Sequence, residues 1–71
     1  MATIYQPFTS RENEIAHLLA QGRSQPEIAQ ALQIKLSSLN ARVSGLKRKT
    51  FCDDTISLIV YLYRKGYGQQ Q

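Results

Sequence analysis

Apolar residues recur along this chain at intervals of three and four, in four blocks separated by turn-forming residues. Ile15, Leu18 and Leu19 make the first stripe, and Ile28, Ala29 and Leu32 the second. Leu39, Val43 and Leu46 make the third, and Ile56, Ile59, Val60 and Tyr63 the fourth. Such spacing lays each set on one face of a helix, because 3.6 residues complete a turn. No stretch reads as a strand, so the pattern predicts an all-α protein of four helices.

Polar punctuation places the ends. Thr9 followed by Glu12, and Ser24 followed by Glu27, are capping boxes in which each side chain satisfies an orphan backbone N–H of the first turn. Gly22 ends helix one by taking the left-handed conformation without a Cβ penalty, and Pro26 suits the first turn of helix two, expected over about 25–32. A turn over 33–36, plugged by Ile34, leads to Ser37 as the expected cap of helix three, over about 38–49. Asp53 is placed to cap helix four with Asp54 reinforcing it, and Gly66 to stop it. Residues 1–6 read as a flexible arm and 66–71 as a Gly/Gln tail, leaving a helical core of about 8–65 in a single domain, 1–71.

Two of these helices carry more than a core stripe. At 100° per residue from an inward Leu39, helix three turns Asn40, Ala41, Ser44 and Arg48 outward, a face of short side chains. Helix four is apolar nearly all round. Leu58, Tyr61 and Leu62 lie off its main stripe, and a domain this small cannot bury both sides, so these three are expected to form a dimer interface; the other reading is that they cover the core.

Charge changes the picture next. The chain carries a formal +4, and residues 28–52 hold no carboxylate while carrying Lys35, Arg42, Lys47, Arg48 and Lys49, five of the nine cations. A basic segment that coincides with two helices joined by a short turn points to nucleic acid. Other classes fall away: no apolar run reaches the roughly 18–20 residues of a membrane span, and no signal peptide is legible at the N-terminus. Cys52 and His17 each stand alone, which excludes an internal disulfide and a Cys/His zinc site. No carboxylate pair or nucleophile–base pair accompanies His17, so no enzyme, cofactor or metal is expected, and the chain reads as cytoplasmic. Tyr5, Tyr61, Tyr63, Tyr67, Phe8 and Phe51 lie toward the ends of the chain and the basic segment, which favours packing over base stacking.

The motifs now suffice for a family. Phe8-Thr9-Ser10-Arg11-Glu12 and Leu18-Leu19-Ala20-Gln21-Gly22-Arg23-Ser24-Gln25-Pro26-Glu27-Ile28-Ala29 resemble the LuxR/GerE-type DNA-binding domain, whose pattern reads roughly LTxRExEVLxLLAxGxSxKEIAxxLxIS. The likeness runs without a gap over about 8–59. It implies a four-helix helix-turn-helix fold and a bacterial transcriptional regulator with helix three in the major groove of double-stranded DNA. The family's base-contacting positions fall on Asn40, Ala41 and Ser44, and its phosphate contacts on Ser38, Arg42, Lys47, Arg48 and Lys49, to which Lys35 adds its charge. A dimer through helix four, RNA polymerase as a contact, association with the nucleoid and a stand-alone form without a sensor domain are further implications.

The chain departs from the pattern where that chemistry lies. The usual Ser-x-x-Thr-Val-Lys-x-His becomes Lys35-Leu36-Ser37-Ser38-Leu39-Asn40-Ala41-Arg42, and Lys-Leu-Gly-Val becomes Lys49-Thr50-Phe51-Cys52. The departures keep open a second reading, a protein-interaction module that pairs with another LuxR-type regulator and binds little DNA itself. A sigma-factor promoter-recognition domain is a third, which the capping boxes and Gly22 spacing fit less well.

Overall fold

Four helices account for almost all regular structure in the computed structural model, which describes residues 8–68. They are α1 (Ser10–Ala20), α2 (Gln25–Leu32), α3 (Leu36–Thr50) and α4 (Thr55–Arg64). No strand occurs among the described residues, and the chain is all-α as its periodicity predicts. The expected arm at 1–6, with Tyr5, and residues 69–71 lie outside the described residues.

The core is assembled from the first three predicted stripes, whereas on α4 it takes Leu58 and Leu62 and leaves Ile56, Val60 and Tyr63 of the predicted stripe exposed. Ile15, Leu19, Ile28, Leu39, Val43 and Leu46 are buried together with Leu58 and Leu62, and Ala16 and Ala29 fill the close approaches between helices. α1 packs on α4 and α2 on α3, while α3 also touches α1 and α4, so the third helix is held from behind by the other three.

Both capping boxes form. Thr9 Oγ1 accepts from the Glu12 N–H at 3.1 Å while Glu12 Oε1 accepts from the Thr9 N–H at 2.8 Å. Ser24 and Glu27 repeat the exchange at 3.3 and 2.9 Å. Two starts differ from expectation. α3 begins at Leu36 with Lys35 at its N-cap and no side-chain cap, so Ser37 lies inside the first turn, and the Leu39 N–H donates to Lys35 O at 3.0 Å. α4 is capped by Asp54, not Asp53: Asp54 Oδ1 accepts from the Ser57 N–H at 2.7 Å.

All four helices end alike, with a left-handed residue followed by a backbone bond that reaches back five positions. At Gly22 (φ +89°) the next N–H, of Arg23, donates to Leu18 O, and at Gly66 (φ +97°) that of Tyr67 donates to Leu62 O. The same turn occurs at Gln33 (φ +59°) and Phe51 (φ +58°), where no glycine announces it. A side chain in this region costs about 1–2 kcal/mol, so α3 ends on a strained aromatic residue.

The residues after α4 correct another expectation. Residues 66–68, counted with the tail, fold back onto α1: Tyr67 Oη donates to Asn13 Oδ1 at 2.7 Å, its ring lies 5.9 Å from that of Phe8, and the Gly68 N–H donates to His17 Nδ1 at 3.1 Å. Gly68 sits so close to Ala20 that a Cβ would come within 2.8 Å of its backbone, which gives this second glycine its purpose. The aromatic ring of Tyr67 supplies the apolar area that composition alone did not suggest.

Candidate nucleic-acid interface

α2, a three-residue connection and α3 form the helix-turn-helix. Ala29 O accepts from the Ile34 N–H at 3.0 Å, and Ile34 plugs the turn against the core. Because Leu39, Val43, Leu46 and Thr50 all point inward, the opposite side of α3 is fixed as well. The structure brings Asn40, Ala41 and Ser44 together there, all exposed, and adds Ser37, which was expected to be a cap and instead extends this face by one turn. Its signal was the 100° geometry itself, masked by the preference of serine for caps.

The cations divide by role. Ser38 and Arg42 are exposed along one flank, Lys35 stands exposed at the N-cap, and Arg48 is exposed in line with Ala41 and Ser44. Lys47 and Lys49 are partly covered. Lys49 Nζ lies 2.7 Å from Glu12 Oε1, with the two side chains only 20% and 12% accessible, so this lysine ties the end of α3 to the start of α1. Lys47 places its charge near Asp54 at the start of α4. Within the run Lys47-Arg48-Lys49, then, Arg48 is exposed, Lys47 is half-buried and Lys49 is paired with Glu12.

The helix N-termini sharpen the contrast. Burial pushes the Glu12 carboxyl up, but bonding to Lys49 and Thr9 outweighs it and holds the group below its usual range. Backbone N–H donors at Ser24 and Ser57 likewise lower Glu27 and Asp54. Each of these three N-termini carries a carboxylate on its positive end. That of α3 has no acidic residue in its first turn and no side-chain cap, and Lys35 stands beside it. This end of α3 can receive an anion, since unpaired N–H groups and the helix dipole both favour negative charge.

Of the three residues expected to form a dimer interface, only Tyr61 is exposed. Leu58 and Leu62 are completely buried, because α1 and α3 cover that side of α4. The exposed apolar side is instead Ile56, Val60 and Tyr63, with Ile56 75% and Tyr63 60% accessible, and Phe51 beside them at 94%. Among the described residues no three His, Cys, Asp or Glu side chains gather, and no helix is long and apolar enough to cross a membrane.

Comparison with known proteins agrees with this architecture. The sequence pattern described as "Bacterial regulatory proteins, luxR family" matches residues 6–62, most of the chain. The response regulator protein VraR of Staphylococcus aureus is 33% identical over 68 residues, which are 96% of this chain and 32% of that protein. The proteins of that name from Staphylococcus saprophyticus and Staphylococcus epidermidis match to the same extent. The chain spans about a third of the length of the curated relatives it matches.

Proposed function

The chain belongs to the luxR family of bacterial regulatory proteins, regulators and not enzymes, and from that premise we propose that it binds double-stranded DNA to control transcription, with α3 in the major groove. The observation that carries this reading is the outward side of α3, a row of short side chains flanked by cations and free of carboxylates over 36–50. A groove about 12 Å wide admits such a helix without steric conflict. Asn40 can bond adenine at N6 and N7, Ala41 can touch a thymine methyl, and Ser44 accepts either partner. Arg42, Arg48, Ser38 and Lys35, with the open N-terminus of α3, supply phosphate contacts, which set register more than sequence.

Two copies on a two-fold-related site fit a domain whose α4 leaves Ile56, Val60, Tyr61 and Tyr63 exposed. Occupancy of a promoter on the nucleoid, in the cytoplasm, then recruits or excludes RNA polymerase. Fluorescence anisotropy against a random-sequence duplex across a salt series tests the proposal, because log K falls with log salt at about −0.9 per neutralised phosphate. A slope worth several phosphates per protomer supports it. No binding by the folded protein at low salt overturns it.

The exposed apolar side of α4 also favours a second reading, a module that pairs with another LuxR-type regulator. Stoichiometric binding to such a regulator by a protein with no DNA affinity of its own selects that alternative.

A further inference from the structure

His17 and Tyr67 have no part in the nucleic-acid interface, yet the fold brings both to one place. Gly66 (φ +97°) turns the chain after α4, and Gly68 (φ +84°) lets it pass so close to Ala20 that a Cβ would collide at 2.8 Å. Between the two glycines Tyr67 reaches over α1. Its hydroxyl donates to Asn13 Oδ1 at 2.7 Å, and its ring lies 5.9 Å from that of Phe8, at the edge of the core. Asn13, His17 and Ala20 share one face of α1, so the segment 66–68 lies along that face as a strap.

The strap ends on His17. Gly68 donates its backbone N–H to Nδ1 at 3.1 Å, and the Gln21 side-chain amide stands 3.1 Å from Nε2. A neutral imidazole offers one lone pair and one N–H. The Gly68 N–H can only donate, so it takes the lone pair at Nδ1. The Gln21 amide can present its oxygen as readily as its nitrogen, and a 3.4 Å bond from the exposed Arg23 Nε is too long to prevent that turn. A second proton has only Nδ1 to occupy, where it faces the Gly68 N–H, donor against donor.

The charged and titratable groups around this site come from every neighbouring element. On α1, Glu14 precedes His17 by one turn and pairs with Arg11 at 3.4 Å. Arg23 and Glu27 approach from the start of α2, where Glu27 accepts from the Ser24 N–H at 2.9 Å. α4 and the strap contribute Tyr63 and Tyr67. Both carboxylates are bonded elsewhere, so neither replaces the bond to Gly68 when the ring is charged.

We propose that His17 is a proton-operated latch: the neutral ring holds the strap 66–68 on α1, and the protonated ring releases it. Imidazole ordinarily charges between about pH 8 and pH 5. The docked strap binds only the neutral ring, so acid favours release. The contribution that Tyr67 makes beside Phe8 is therefore present above that range and lost as pH falls through it. The latch gives the domain a local, reversible opening at one edge of the α1–α4 packing, at pH values where carboxylates stay charged.

Proton and nitrogen NMR of the whole chain between about pH 8 and pH 5 tests it. The Gly68 amide and the Phe8–Tyr67 ring contact are expected to change together, with the midpoint of the His17 ring, while the core signals of Ile15, Leu39 and Leu58 stay in place. His17→Gln removes the titration, and its strap, docked or not, should be the same at both ends of the range. Gly68→Ala sets a methyl against Ala20 and should lose the Phe8–Tyr67 contact even where His17 is neutral. A Gly68 amide that does not titrate with His17 overturns the proposal. So does a Phe8–Tyr67 contact that survives protonation of the ring or the change to Gly68→Ala, or a His17→Gln strap that still opens over the same range.

Discussion

α3 and α4 both leave one side in water, and the two sides are built from opposite materials. That of α3 is Ser37, Asn40, Ala41, Ser44 and Arg48, short or cationic; that of α4 is Ile56, Val60, Tyr61 and Tyr63, apolar and partly aromatic. An exposed helix that only has to remain soluble needs neither arrangement. Short side chains with outlying cations suit a rigid, hydrated, anionic groove, where close backbone approach matters more than area. Unpartnered aliphatic and aromatic side chains suit another protein, where area removed from water is the main gain.

The sharpest way to break this comparison is on α4, where adjacent apolar residues have different fates. Leu58→Asp places a charge in the centre of the core and should destabilise by roughly 3–5 kcal/mol, about the whole stability of a domain this small; thermal melts by circular dichroism should show no cooperative transition. Val60→Asp, on the exposed side, should retain the transition and lose only self-association. If both variants fold equally well, the division of α4 into buried and exposed sides is wrong.

On α3 the expected effects are smaller and more selective. Asn40→Ala should cost about 1–3 kcal/mol on a site selected from random DNA and almost nothing on unselected DNA. Equal losses on both would remove Asn40 as a base reader. The cation run divides next: Arg48→Gln should reduce the salt slope by about one phosphate, whereas Lys49→Gln should leave the slope unchanged and cost about 0.5–1 kcal/mol of stability through its pair with Glu12. A lowered slope in Lys49→Gln would return that lysine to the DNA surface.

Acid provides a gentler probe of the same pair. The Glu12 carboxyl lies below the usual 4.5 in the folded protein, so its contribution is present above that value and is lost as pH falls through the depressed folded value. Urea titrations at pH 6 and pH 3 should therefore show a smaller loss on acidification in Glu12→Gln than in the parent. The smallest effect expected is Gln33→Gly, which relaxes the left-handed turn before α3 and should stabilise by up to about 1 kcal/mol, read as a raised urea midpoint.

Much of the fold was legible because its signals are local. The pairs Thr9–Glu12 and Ser24–Glu27, and Gly22 and Gly66, are chosen by backbone groups three to five residues away, so chain order contains the whole interaction. The start of α3 was not legible, since Ser37 is as good a cap as any serine and the helix instead begins at Leu36 after Lys35, with no side-chain cap to announce it. Phe51 and Gln33 end helices without a glycine, so no local signal announced either turn.

The candidate interface divides the same way. Sequence by itself determined four helices, the outward placement of Asn40, Ala41 and Ser44, the carboxylate-free basic segment and the family, because periodicity, capping and charge act over a turn or two of chain. Only the tertiary structure decided which cations face solvent, since Glu12 is 37 positions from Lys49, and which side of a helix apolar all round is buried. Leu58 and Leu62 look no different from Ile56 and Val60 along the chain; α1 and α3 choose between them by lying against one side, and leave the other, with Phe51, in water.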